Sequence, residues 1–176
     1  MEKKTILELD RIDVEQFKKI DKIPLVVILD DVRSLNNIGS IFRTSDAFLV
    51  EHIYLCGITA TPPNNDIHKT ALGAEDSVDW SYEKDTLSLV EKLKYDGYTV
   101  CAIEQVKGSI SLTNFQINRS EKYAIILGNE VKGVNQSVVN ACNQVIEIEQ
   151  YGTKHSLNVS ITAGILIYTF AQKLIK

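Results

Sequence analysis

The sequence predicts an α/β fold, a mostly parallel sheet with helices on both faces. Three observations predict it. Short runs rich in β-branched residues alternate with stretches of helical spacing along the whole chain. The run LVVIL at 25–29 is continuously apolar, as a strand buried on both faces requires, and YAIIL at 123–127 reads as another strand. Polar, small-residue segments follow the strands, where an open parallel sheet gathers its ligand loops.

Along the chain, Thr5 to Ile20 is expected to form one amphipathic helix. Ile6, Leu9, Val14 and Phe17 recur at helical spacing, Lys18, Lys19 and Lys22 suit the helix end, and Pro24 is read as its stop. The strand at 25–29 leads into a loop with Asp30, Asp31 and Arg33. Asn36 or Asn37 is expected to cap the next helix, whose buried face is marked by Ile38, Ile41, Phe42 and Phe48. His52 to Cys56 reads as a second strand, 57–65 as a turn-rich loop, His68 to Leu72 as a short helix and Ser77 to Trp80 as a short strand. A helix over Asp85 to Tyr95, ended by Gly97, precedes a strand over Tyr98 to Ile103. Glu104 to Glu121 is a long polar segment of the kind that carries function. A short helix over Gln136 to Cys142, a strand around Val145 and a last helix over Leu157 to Leu174 complete the chain. That helix is apolar nearly all round through Ile161, Ile165, Ile167, Tyr168, Ala171 and Leu174, so a subunit interface is expected on it.

A chain of 176 residues is large enough for one self-sufficient core. The natural division is a helical extension over 1–23 and a main domain over 24–176. Cys56, Cys101 and Cys142 are widely spaced, odd in number and form no CxxC pair, which argues against zinc and redox motifs, and a reducing compartment is expected. No His/Cys/Asp cluster suggests a metal. The charged start has no apolar stretch after it and no run is long enough for a membrane span, so a cytoplasmic protein with no membrane partner is expected. A net charge of −4 gives no overall attraction to nucleic acid, so any RNA must be held by a local basic face.

Three polar motifs each follow an expected strand. They are Asn37-Ile38-Gly39 with Arg43-Thr44, then Leu127-Gly128-Asn129-Glu130 closed by Gly133, then Ser156-Leu157-Asn158-Val159-Ser160. Each is weak alone; parallel strands place all three at one edge of the sheet, where they can share a site. In this order, over Leu25 to Lys173, they resemble the SpoU (TrmH-like) family of the SPOUT methyltransferases, which methylate the ribose 2′-hydroxyl of RNA with S-adenosylmethionine. The resemblance implies a C-terminal segment threaded into a deep trefoil knot, a homodimer formed through the knot region, and an RNA substrate, transfer RNA ahead of ribosomal RNA. The domain over 24–176 is then the SPOUT methyltransferase domain.

Carried over by position, the resemblance places Gly128, Ile148 and Leu157 in the cofactor pocket, largely through backbone atoms. Asn37, Arg43, Glu130, Ser156 and Asn158 match the polar active-site positions, and Arg43 is the family's proposed catalytic residue. An arginine keeps its protons, so an electrostatic clamp on phosphate and developing alkoxide is the physical alternative to a general base. Asn37 is expected to orient Arg43 or the ribose, and Glu130 to fix Arg43 or Asn158. Glu149 stands where many relatives have proline, which puts an extra carboxylate near the pocket. With about 22 residues before the first strand, the RNA must be gripped by the catalytic domain and the dimer groove.

Other readings remain beside these. Ser156 and Asn158 also suit capping of the last helix. A catalytically inactive RNA-binding SPOUT module is the alternative to an enzyme. A hydrolase using Ser156 and the adjacent His155 lacks both the geometry and a G-x-S-x-G elbow. Lys69, Lys132 and Lys154 are surface lysines or phosphate contacts. Trp80 and Tyr82 read first as packing residues, with base stacking as the functional alternative.

Overall fold

The strands are β1 (Ile23–Asp30), β2 (Val50–Cys56), β3 (Trp80–Glu83), β4 (Tyr98–Ile103), β5 (Ile110–Ser111), β6 (Lys122–Leu127) and β7 (Gln144–Glu147). In the computed structural model, which describes residues 1–5 and 7–175, they form one sheet in the order β3-β2-β1-β6-β4-β7-β5. Every pairing is parallel. The order runs outward from a central pair, with β1 leading to β2 and β3 on one side and β6 leading to β4, β7 and β5 on the other. The break in direction between β1 and β6 opens a crevice at their carboxyl ends, where Leu29 lies beside Leu127. The first two motifs start there.

The helices are α1 (Val14–Lys19), α2 (Leu35–Ala47), α3 (Asn65–Ala71), α4 (Ala74–Ser77), α5 (Thr86–Tyr95), α6 (Gln136–Ala141) and α7 (Val159–Leu174). The pleat of β1 sends Leu25, Val27 and Leu29 into the core under α2, α3 and α7, and Val26 and Ile28 into the core under α5 and α6. All five are essentially inaccessible to water, each burial worth about 1.5–3 kcal/mol. That double burial is why β1 reads as an unbroken apolar run. Asp30 is a buried exception at the end of β1. Its carboxylate accepts from Thr86 Oγ1 at 2.5 Å and from Asn135 N at 3.2 Å, so it ties the starts of α5 and α6 to the central strand. On the other face, Gly39 lets α3 lie directly on α2, since a Cβ there would meet the Ile67 carbonyl and Thr70 Oγ1.

Several expectations are corrected. The first helix is not continuous: a 3₁₀ turn over Leu7–Leu9 is separated from α1, which Asp13 starts with a capping box. Ile6 lies outside the described residues, and so does Lys176, the last residue of the expected main domain. Pro24 does not stop a helix; it is the second residue of β1, while α1 ends at Lys19. Ser34 caps α2, accepting from Asn37 N at 3.3 Å, which places Asn37 inside the first turn. The expected strand at 77–80 is displaced, because Ser77 ends α4 and β3 begins at Trp80. The segment 104–121 contains the two-residue edge strand β5. Asn158, not Ser156, caps α7, through bonds from Ser160 N and Ile161 N. The observed sheet order is consistent with the threaded C-terminal segment that the resemblance implies.

Candidate active site

The site is built where the turns after β1, β4, β6 and β7 meet. The turn after β6 is shaped by Asn129, whose Oδ1 accepts from Val131 N at 2.9 Å and Lys132 N at 3.1 Å. Its Nδ2 donates to the Asp31 carbonyl at 2.8 Å, fastening the turn to the end of β1. Gly128 opens this turn. A Cβ on it would meet the Gly133 carbonyl group and Val134 N, so the chain's own fold-back demands glycine here, before any ligand does.

Glu130 projects from the same turn to the start of α2. Its carboxylate accepts from Arg33 N, Ser34 N and Asn37 Nδ2 at 3.0, 3.0 and 3.1 Å. Asn158 Nδ2 in turn donates to Asn37 Oδ1 at 3.1 Å. One continuous network, Glu130–Asn37–Asn158, therefore joins all three motifs. Partial burial pushes the Glu130 carboxyl up, but the backbone bonds from Arg33 and Ser34 and the Asn37 amide outweigh it and hold the pKa below its ordinary value of 4.5. A depressed carboxylate pKa stabilises the fold above its unfolded value, and that stabilisation is lost as pH falls through the folded value. Urea unfolding at pH 7 and in the acid range below 4.5 should thus show a smaller acid loss for Glu130→Gln than for wild type. Equal acid sensitivity in both proteins would refute the assigned role.

The turns enclose a cavity of about 540 Å³, a common size for a cofactor site. Gly128, Ile148 and Leu157 line it, as do Glu130, Ser156 and Asn158. Ser156 makes no side-chain hydrogen bond among the described residues. Arg43 is not in the lining. It lies six residues beyond Asn37 on α2, about 9 Å further along the axis, exposed and without a hydrogen bond or ion pair among the described residues. Neither Glu130 nor Asn37 holds Arg43, contrary to one of the sequence expectations for each. Glu149 also points away, exposed and reached by the Tyr151 hydroxyl at 3.4 Å, so the extra carboxylate does not enter the cavity.

Sequence reasoning missed Glu104, Gln105 and Glu147, which do line it. Glu104 Oε1 accepts from Val134 N at 2.7 Å and Gln105 Nε2 donates to the His155 carbonyl at 3.0 Å, so this pair braces the second and third motifs. Their signal was position. They follow β4 at the carboxyl edge of the sheet, the same place that picked out the three motifs. Apolar walls from Ile103, Leu127, Ile148 and Leu157, with the Glu104 and Glu147 carboxylates beside them, suit a ligand that has a flat ring and positive charge.

A family model described as the SpoU rRNA Methylase family matches residues 24–168. The chain belongs to that family. An uncharacterized tRNA/rRNA methyltransferase of Borreliella burgdorferi is 29% identical to this SpoU-family chain over 161 residues, covering 92% of the chain and 69% of the relative. A Staphylococcus saprophyticus protein assigned to the TrmH family of tRNA/rRNA methyltransferases is 28% identical, covering 91% of the chain and 63% of the relative. The chain thus spans about two-thirds of the length of these curated relatives. Its fold matches the A. aeolicus TrmH/SpoU tRNA modifying enzyme with a TM-score of 0.79 at 25% identity, over 91% of this chain and 79% of that one. It matches an AdoMet-bound rRNA methyltransferase of Sinorhizobium meliloti with a TM-score of 0.81 at 25% identity, over 91% of this chain and 61% of that one. The α/β SpoU fold expected from the motifs is the fold observed.

Proposed function

We propose that this protein transfers a methyl group from S-adenosylmethionine to a ribose 2′-oxygen of RNA, with transfer RNA ahead of ribosomal RNA as substrate. The observation that carries the reading is the Glu130–Asn37–Asn158 network, which brings three separated motifs to the rim of one cavity. The cavity residues fit the cofactor: apolar walls suit its adenine, and the Glu104 and Glu147 carboxylates suit its cationic groups. When bound, the cofactor supplies an electrophilic methyl on a sulfonium centre. The acceptor 2′-hydroxyl gives up its proton to solvent as it takes the methyl, and negative charge grows on its oxygen.

The chain's own contribution is placement and charge. Glu130 and Asn37 hold the start of α2 against the cofactor turn, so the helix bearing Arg43 has a fixed register to the cavity. Arg43, exposed and uncommitted among the described residues, is the residue we assign as an electrostatic clamp. It holds an RNA phosphate beside the reacting ribose and stabilises charge growing on the oxygen. Asn158 and Ser156 offer hydrogen bonds to the ribose at the cavity mouth. The test is incubation with labelled cofactor and bulk small RNA, then nuclease mapping. Label on the ribose of transfer RNA is the expected result; label on base atoms would reject the assignment.

The homodimer belongs to the same proposal. On α7, Ile161, Ile165 and Tyr168 are 56%, 37% and 53% exposed at i, i+4 and i+7, an apolar stripe facing outward. Tyr168 meets Phe48 edge-on at 5.6 Å, which joins this stripe to the end of the helix that carries Arg43. Ile161→Glu is expected to convert a dimer into a monomer in sedimentation or light scattering, with the melting curve little changed by the exposed site itself. A variant that keeps the dimer mass would remove α7 as the interface. No helix among the described residues is long and apolar enough to cross a membrane, and the proposed site of action is the cytoplasm, where the RNA is.

A further inference from the structure

A second cavity of about 400 Å³ shares no lining residue with the first. Pro62, Pro63 and Trp80 give it flat apolar walls, and Asn64, His68 and Glu75 give it polar ones. The Glu75 side chain is only 9% accessible. Its Oε1 meets His68 Nδ1 at 2.5 Å, while its Oε2 is buried with no hydrogen-bond partner among the described residues. A buried carboxylate oxygen without a donor is costly, and a native fold rarely leaves one so. Nothing in the proposed methyl transfer uses this group.

The chemistry narrows the missing donor. No group of three or more metal-ligating side chains exists among the described residues, so a metal site is not indicated. Asp76 also lines the cavity, and two neighbouring carboxylates disfavour a phosphate inside it, so a nucleotide must keep its phosphate outside in water. A planar heterocycle with N–H groups on its edge meets both requirements: a face for Trp80 and donors for Glu75. Guanine presents two adjacent donors, N1–H and N2–H₂, which match a carboxylate. The place also fits. Thr70 Oγ1 on α3 donates to the Asn36 carbonyl at 3.0 Å, and Gly39 seats α3 on α2. The helix that forms one wall of the cavity is therefore anchored to the turn of α2 that carries Asn37.

We infer that this cavity is a nucleobase subsite, taking a guanine of the RNA with its ring on Trp80 and its N–H edge on Glu75. The inference rests on the RNA-methylation reading for the source of the base. Glu75 Oε2 is closed to solvent in this structure, so the base reaches the carboxylate only as the His68 ring, 65% exposed, gives up its contact with Oε1 and turns outward.

Trp80 is the only tryptophan of the chain, so its fluorescence reports this cavity alone. Titration of the full chain with guanosine 5′-monophosphate, without cofactor, is expected to quench it saturably, with half-saturation at about 1 mM, the weak affinity one stacked base supports. Inosine 5′-monophosphate, lacking the exocyclic amine, should bind about 5-fold more weakly, and Glu75→Gln should weaken the guanosine nucleotide about 10-fold because it removes an acceptor from a paired donor. Should Glu75→Gln fail to fold, His68→Ala on the exposed ring replaces it and is expected to tighten binding. No saturable quench, equal binding of the two nucleotides, or unchanged affinity in the folded variant overturns the subsite. Calorimetry with S-adenosylmethionine on the same samples separates the two readings. Cofactor binding retained while nucleotide binding fails defeats only the subsite, and the reverse defeats only the methyl-transfer assignment.

Discussion

Arg43→Ala is expected to lower kcat for RNA methylation about 10³-fold, the upper range for removing one preorganised donor from a developing anion. The same variant should bind S-adenosylmethionine as the wild type does and melt at the same temperature. Both expectations follow from where the side chain lies. It is exposed, outside the cofactor cavity, and makes no hydrogen bond or ion pair among the described residues, so its removal takes nothing from the fold or the pocket. Arg43→Lys keeps the charge and loses the bidentate fork, so it should recover only part of the rate. Steady-state kinetics with transcribed RNA, calorimetry with cofactor and a thermal melt together decide the matter. A variant with wild-type kcat would leave the clamp without a role, and one that lost cofactor affinity would make Arg43 a pocket residue after all.

Gly128→Ala should do the opposite, damaging the pocket and the fold together. The added methyl meets backbone atoms of Gly133 and Val134, which cannot rotate away as a flexible side chain would. Relief requires the whole turn to shift. That shift strains the paired Asn129 and Gly133, the 2.7 Å bond from Val134 N to Glu104 and the fastening of Asn129 to Asp31. Overpacking of this kind costs about 1–3 kcal/mol, and cofactor affinity should fall about 10-fold or more as the cavity floor moves. Denaturant unfolding and calorimetry test the two effects separately. Wild-type values in both would mean that the turn is softer than its contacts suggest.

The two predictions divide along a line that the sequence already drew in part. Gly128 stood out because a glycine follows YAIIL at the end of an expected strand, and the resemblance gave it a pocket role. What demands glycine there is the turn itself, which folds back on its own backbone before any ligand approaches. Arg43 was legible as a motif member, yet nothing in the local pattern shows that it lies outside the cavity. The start of α2 was misread for a related reason. Ser34, Asn36 and Asn37 are all capping residues by type, and only the surrounding contacts select Ser34 and leave the Asn37 amide free for Glu130 and Asn158. Pro24 was misread as a helix stop, because a proline near the start of a strand and one after a helix look alike in sequence.

Local chemistry was sufficient for the alternation of strands and helices and the double burial of the LVVIL segment, while the family came from the resemblance of three motifs in order. Periodicity, β-branching and motif order are properties of neighbouring residues, and they survive without any knowledge of the fold. Contact between distant segments is a different kind of fact. The bond from Asn37 to Glu130 spans 93 residues and that from Asn158 to Asn37 spans 121. Sheet order, the bracing by Glu104 and Gln105 and the unpaired Glu75 oxygen likewise arise from packing. Which turns share a cavity depends on how strands are ordered in the sheet, and strand order is set by global burial, which no local pattern encodes.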